Sequence, residues 1–187
     1  MNLLDFYNNL KNHTDVTDKG TIHTYIQEYY NDKFTPLKNI PISILEIGIL
    51  NGLSMDFWMS WFTNANFIGI DPCTTQINRL EQNSNFKGYS LDAFTFDTLN
   101  LFSDESLDII IEDGPHTLDT QTFAAENWIK KLKKGGLLII EDIQNPDKEV
   151  DQIIKNIKDD KNLEINLFDL RPKINRYDDF IIEIKKI

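Results

Sequence analysis

Two short runs concentrate side chains able to do chemistry. In Leu107-Asp108-Ile109-Ile110-Ile111-Glu112-Asp113-Gly114-Pro115-His116 an apolar stretch empties into a tight turn bearing two acids and a histidine. Leu137-Leu138-Ile139-Ile140-Glu141-Asp142 ends in a similar way. If the two runs are neighbouring strands, Asp113, Glu141 and Asp142 converge at one edge, where three carboxylates repel each other unless a cation neutralises them. Oxygen ligands suit Mg²⁺, which keeps waters or substrate oxygens in its remaining positions. His116 lies one turn beyond Asp113 and could reach a hydroxyl held there. A near-neutral imidazole is suited to accept that proton, and a metal would make the hydroxyl more acidic. Helix caps and a surface histidine would explain any one of these residues, but explain the constellation poorly.

A second chemistry-bearing segment is Glu46-Ile47-Gly48-Ile49-Leu50-Asn51-Gly52-Leu53-Ser54. Gly48 and Gly52 allow a sharp strand-to-helix turn and close approach of a ligand to the backbone. Their Glu-x-Gly-x-x-x-Gly spacing is not the Gly-x-Gly-x-x-Gly of dinucleotide sites, where a pyrophosphate needs a tighter cradle. It suits S-adenosylmethionine, which carries no phosphate and whose carboxylate can use amides at a helix N-terminus. Glu46 would orient the loop or meet the cationic methionine end. Asp71 closes the next β-rich run, where a carboxylate can accept both ribose hydroxyls. Asp92 is the candidate for the adenine amino group, with Ala93 supplying a backbone amide. Glu46, Gly48, Gly52, Ser54, Asp71, Asp92, Ala93 and Asp113 are the candidate cofactor residues.

Elements must exist to bring these together. Residues 3–10 and 22–30 show helical periodicity and are joined by a polar turn; Thr21, or Thr17 with Asp18, could cap the second. Beyond Pro36 and Pro41, β-rich runs at 42–47, 66–70, 86–90, 107–112 and 136–141 alternate with helical patterns near 53–62, 74–82, 93–101 and 118–132. That order predicts a parallel sheet covered on both faces. Lys134-Gly135-Gly136 reads as a helix C-cap leading into the fifth strand. After a helix near 147–158, runs at 163–170 and 179–186 are too close for a crossover helix and should pair antiparallel at one sheet edge. The expected fold class is therefore α/β, Rossmann-like: a mostly parallel seven-stranded sheet with a C-terminal antiparallel hairpin and helices on both faces. One domain spans residues 1–187, with 1–35 lying over the site and 42–187 forming the core.

The chain carries 30 acidic and 19 basic residues, a formal net charge of −11. That balance opposes docking on a phosphate backbone. The basic cluster Lys130, Lys131, Lys133 and Lys134 reads as a solvated helix end. Hydrophobic residues make up 41% and charged residues 26%, an ordinary globular composition. A single cysteine, Cys73, suits a reducing compartment, and no leader or bilayer-spanning run is visible. The expected setting is cytoplasmic, with no nucleic-acid or membrane partner; a homo-oligomer is left open.

Glu112-Asp113-Gly114-Pro115-His116, Gly135-Gly136 and Ile140-Glu141-Asp142-Ile143 together resemble the metal-dependent sugar O-methyltransferases of macrolide biosynthesis. Thr17-Asp18-Lys19-Gly20 with His23 and Tyr25, Leu45-Glu46-Ile47-Gly48 through Trp58, and Gly69-Ile70-Asp71 are similar to that family as well. The resemblance covers about residues 17–142. It implies S-adenosylmethionine as cofactor, Mg²⁺ at Asp113, Glu141 and Asp142, His116 as general base, and Lys19, His23 and Tyr25 on the acceptor side. The family usually has Asp at the position of Glu112 and Ser at that of Pro115. Its long N-terminal extension, which helps those enzymes assemble and bind macrolides, has no counterpart here. The expected acceptor is accordingly a hydroxyl of a sugar or other small polyol rather than a macrolide. Tyr25, Tyr29 and Tyr30 are expected to floor its pocket. A catechol-type O-methyltransferase would share the carboxylates but hold a flat ring. A non-catalytic cofactor-binding module would need neither the acids nor His116.

Overall fold

In the computed structural model, which describes residues 1–187, the strands are β1 (Ile42–Ile47), β2 (Ala65–Ile70), β3 (Phe86–Tyr89), β4 (Leu107–Glu112), β5 (Leu132–Ile140), β6 (Leu163–Asp169) and β7 (Phe180–Lys186). They form one sheet in the order β3-β2-β1-β4-β5-β7-β6. The first five run parallel, and β7 lies antiparallel to both β5 and β6. The expected hairpin is thus present, with β7 inserted between β5 and the edge strand.

The helices are α1 (Leu3–Leu10), α2 (Asn31–Phe34), α3 (Leu53–Trp61), α4 (Thr74–Leu80), α5 (Phe96–Leu99), α6 (Leu118–Asn127), α7 (Pro146–Ile153) and α8 (Arg171–Ile174). Alternating strand residues feed two separate cores, as the two-residue period of a strand requires. Ile44, Ile109, Ile111 and Ile139 face a layer containing α1, α3 and the aromatic side chains Tyr25, Tyr29, Tyr30 and Phe34. Leu45, Ile47, Ile110, Leu138 and Ile140 face the opposite layer, with Ala124 and Trp128 of the α6 region and Ile153 of α7. No helix is long and apolar enough to cross a membrane.

Several local expectations need correction. The second opening helix is a π-turn, Ile26–Tyr30, running directly into α2. The helix expected over 93–101 shortens to α5, because the Thr95 hydroxyl accepts the N–H of Thr98 and starts the helix late. Gly135 and Gly136 are not a helix cap. The helical segment ends at Lys131, and both glycines lie inside β5, Gly135 with φ +85°. Of the neighbouring lysines Lys130 and Lys134 are exposed as expected, but Lys131 is buried against Asp104 at 2.7 Å, and the partly exposed Lys133 reaches Asp108 at 2.7 Å.

Candidate active site

Strand order reverses between β1 and β4, leaving a crevice at their carboxyl ends, where open α/β sheets bind ligands. A cavity of about 890 Å³ opens there. Gly48 follows β1 with φ +85°, and a Cβ on it would come within 2.0 Å of the Asp113 carbonyl oxygen. Only glycine lets the β1 and β4 ends pack this closely, so the cofactor loop and the carboxylate turn share one wall.

At one end of the cavity Asp71 organises the loop. Its Oδ2 accepts the N–H groups of Ile49 (2.8 Å) and Leu50 (3.0 Å), and its Oδ1 accepts that of Cys73 (2.7 Å). Asp92 Oδ1 accepts the Phe94 N–H at 2.9 Å, and the Ala93 carbonyl accepts from the Trp128 indole at 3.0 Å. Gly48, Ser54, Asp71, Asp92, Ala93 and Asp113 all line the cavity. Gly52 does not. It caps α3 with φ +80° and faces the Arg79 side chain.

At the other end Asp113, His116 and Asp142 each present a ligand atom, all within 4.8 Å of one another. His116 Nε2 lies 3.7 Å from Asp113 Oδ1 and 3.7 Å from Asp142 Oδ2, while its Nδ1 has no hydrogen-bond partner. His116 (φ +55°) and Asp142 (φ +57°) both hold the left-handed conformation, which is unfavourable for such residues and is kept only where the surroundings enforce it. For Asp142 the enforcement is visible. The Tyr25 hydroxyl donates to Asp142 Oδ1 at 2.5 Å, and His23 Nδ1 sits 3.4 Å from the same oxygen while contacting Asp179 at 3.0 Å. Burial, then the charge of Asp113, raises the Asp142 pKa, so a cation between these acids would relieve a real electrostatic cost. Two such carboxylates fit a hard divalent ion.

Glu141 is oriented differently. By strand alternation it shares a face with Ile139, and Glu46 and Asp113 project to that same side. Lys19 enters the space among them. Its Nζ lies 2.6 Å from Asp113 Oδ2 and 3.6 Å from Glu46 Oε1, and it donates to Glu141 Oε2. The Tyr30 hydroxyl donates to Glu141 Oε1 at 2.5 Å. Burial alone would favour a neutral amine, but the charges of Asp113, Glu141 and Glu46 outweigh it and hold Lys19 protonated. Burial pushes Glu46 up to about 7 despite Lys19. Neither Lys19, Glu46 nor Glu141 lines the cavity.

The opening tyrosines do not floor the acceptor pocket as expected. Tyr25, Tyr29 and Tyr30 are buried in the core, and the hydroxyl of Tyr29 donates to Glu183 at 2.6 Å. His23 and Tyr25 likewise lie behind the wall. The cavity wall is instead closed by Val16, Thr17, Asp18, Thr21 and Ile22. Sequence reasoning placed residues 1–35 over the site and singled out Thr17-Asp18-Lys19-Gly20 by resemblance, but named Lys19, His23 and Tyr25 for the acceptor side rather than the neighbours that line the cavity.

Glu112 carries a stability prediction. It points to the opposite face from Asp113, is fully buried, and is pushed up to about 8 by burial and then by the charge of Asp113. An acid raised above its ordinary 4.5 keeps its full contribution below that pH, and loses it as pH rises towards 8. Glu112→Gln cannot titrate. The variant should gain on the wild type by at most about 1.4 kcal/mol per pH unit across this window. Urea denaturation at pH 4.5, 6 and 8 without added metal checks it; a pH-independent difference would contradict it.

A family model described as a methyltransferase domain matches residues 45–143, which contain the glycine loop, Asp71, Asp113 and Asp142. The chain belongs to this methyltransferase-domain family. The domain is similar to two curated proteins of Streptomyces olivaceus. One is 8-demethyl-8-(2-methoxy-alpha-L-rhamnosyl)-tetracenomycin-C 3'-O-methyltransferase, 25% identical, with 68% of this chain and 34% of that protein covered. The other is 8-demethyl-8-alpha-L-rhamnosyl tetracenomycin-C 2'-O-methyltransferase, 26% identical, with 68% and 35% covered. The chain thus spans about a third of the length of these relatives. Among solved structures, the MycE methyltransferase of the mycinamycin biosynthetic pathway, in complex with Mg, S-adenosylhomocysteine and mycinamycin VI, superposes with a TM-score of 0.73 at 19% identity. It covers 91% of this chain and 51% of its own. A putative rRNA-methylase from Clostridium thermocellum superposes with a TM-score of 0.65 at 16% identity, covering 93% and 98%. At these identities the likeness speaks for the Rossmann-like methyltransferase fold.

Proposed function

We propose that this methyltransferase domain transfers the methyl group of S-adenosylmethionine to a hydroxyl oxygen of a sugar or sugar-like polyol, assisted by Mg²⁺. The observation that carries the reading is a single cavity with two chemically distinct ends. Loop amides, Asp71 and Asp92 stand at one end, and Asp113, His116 and Asp142 at the other. Its volume is at the upper end of the range for small-molecule sites, which suits a cofactor and an acceptor together. The sugar specificity of the Streptomyces relatives supports the choice of acceptor.

In this reading Asp71 receives the ribose hydroxyls while fixing the loop that receives the methionine end. Asp113 and Asp142 would hold the metal, which when bound would make an acceptor hydroxyl more acidic. Tyr25 and His23 hold Asp142 in place, and Lys19 with Glu141 anchors Asp113 from behind. His116 takes the acceptor proton. With the oxygen fixed in line behind the sulfonium methyl, orientation supplies most of the remaining acceleration.

The test is calorimetry with S-adenosylhomocysteine, followed by turnover on methyl glycosides with Mg²⁺ or with excess chelator. Micromolar binding and metal-stimulated turnover are expected. Asp71→Ala should weaken cofactor binding by about 1.5–3 kcal/mol, because charge-assisted hydrogen bonds are lost. Preference for NAD over S-adenosylhomocysteine would sink the cofactor assignment, and full turnover in chelator would sink the metal.

A further inference from the structure

Leu50 is the most exposed large hydrophobic side chain of the protein, 79% exposed, and it lines the cavity. A lone exposed leucine is ordinary on a protein surface. This one is also held at φ +45°, a left-handed backbone that residues other than glycine adopt at a cost. It is the first central residue of the turn closed by the Gly52 N–H on the Ile49 carbonyl at 2.7 Å, where glycine ordinarily supplies a positive φ. The same loop does use glycine at its other two left-handed positions, Gly48 and Gly52.

The backbone around Leu50 has little freedom to relax. Asp71 Oδ2 accepts its N–H at 3.0 Å and that of Ile49 at 2.8 Å. On the other side the Asn51 carbonyl accepts from Arg79 Nη2 at 3.4 Å, and the Arg79 guanidinium is paired with Asp56 at 2.9 Å. Two costs, strain and an apolar side chain turned to water, therefore fall on one residue of the cofactor loop. Ile22 and Leu91, also exposed, line the same cavity, so a ligand there meets an apolar rim. Strained residues of this kind cluster at ligand clamps.

We infer that Leu50 is a clamp on the cofactor, its side chain closing over the adenosine half of S-adenosylmethionine, and that the loop gives up stability to hold it there. Asp71, the carboxylate assigned to the ribose, is the group that fixes the Leu50 N–H, which sets the side chain beside the adenosine. The apolar faces of that group take the leucine out of water only when the cofactor is bound. The side chain therefore contributes to affinity and nothing to the ligand-free fold. This role rests on S-adenosylmethionine as the cofactor and uses neither the acceptor nor the metal.

Three variants of the full chain separate the side chain from the backbone. Leu50→Ala keeps the strain and removes the clamp, Leu50→Gly removes both, and Leu50→Met keeps both. Calorimetry with S-adenosylhomocysteine, and with methylthioadenosine, which lacks the amino-acid end, reads affinity. Urea denaturation without ligand reads stability. Both ligands should bind the alanine and glycine variants about tenfold more weakly or worse, and the methionine variant within about threefold of wild type. Without ligand, the alanine and methionine variants should match wild type, and the glycine variant should equal or exceed it. Unchanged affinity in Leu50→Ala would overturn the clamp. Affinity lost only in Leu50→Gly would overturn it too, by assigning the effect to loop rigidity. A clear fall in the ligand-free stability of Leu50→Ala would make the leucine a packing residue instead. A loss seen with S-adenosylhomocysteine but not with methylthioadenosine would overturn the placement over adenosine. A wild type that binds neither ligand would bring down the cofactor assignment and the clamp with it.

Discussion

Replacing Lys19 with methionine is expected to destabilise the domain by about 3–5 kcal/mol, the usual cost of removing one partner from a buried ion pair. The ammonium is the common counter-ion of Asp113, Glu141 and Glu46, and methionine matches its stem but not its charge. Glu141 has the Tyr30 hydroxyl but no second cation. The acids would respond by holding protons more tightly, so the penalty should be largest at alkaline pH and shrink as pH falls. Urea denaturation of both proteins at pH 5 and pH 8.5 measures this. Combining Lys19→Met with Glu141→Gln should recover part of the loss, because the two side chains interact directly. A loss below about 1 kcal/mol at pH 8.5 would mean that the cluster is already neutral by protonation.

That cluster marks where the sequence stops being legible. The need for a cation could be read from the crowding of Asp113, Glu141 and Asp142 at adjacent strand ends. Which cation serves which acid could not, because the answer depends on a lysine 94 residues from Asp113 in the chain. Strand alternation explains the division afterwards. Glu46, Asp113 and Glu141 share the face covered by the N-terminal segment, where Lys19 enters. Asp142 lies beyond the strand in a left-handed conformation that re-aims it towards His116. The sheet itself was legible because most of its strands are short runs rich in Ile, Leu or Phe that end at a glycine or an acid, and because the C-terminal strands are too close for a crossover. Helix lengths were less so. Thr95 and the glycines of β5 act through local hydrogen bonds and φ values that hydrophobic periodicity does not record. The opening tyrosines were misplaced for a related reason. Aromatic residues at helical spacing identify a buried face, but not whether that face meets a ligand or the underside of the sheet.

Replacing His116 with alanine is expected to lower turnover by about 10²–10⁴-fold, the range for losing a general base. Its position admits a second role, since its Nε2 is 3.7 Å from both Asp113 and Asp142 and it could serve as a third metal ligand. The two roles separate on metal affinity. A base makes no bond to the ion, so Mn²⁺ binding, followed by electron paramagnetic resonance, should change less than about threefold in the alanine variant. A ligand's loss should weaken it by tenfold or more, since each tenfold corresponds to about 1.4 kcal/mol. Geometry favours the base. The ring lines the cavity with its side chain 27% exposed, the two carboxylates are the harder donors for Mg²⁺, and the left-handed backbone at residue 116 aims the imidazole across the pair. S-adenosylhomocysteine affinity should be nearly unchanged in either case, because Asp71 and Asp92 follow β2 and β3, across β1 from the strand ends that bear His116 and Asp142. Unchanged turnover would remove His116 from the mechanism and leave hydroxyl activation to the metal alone. Lost turnover with lost Mn²⁺ binding would reassign it as a ligand.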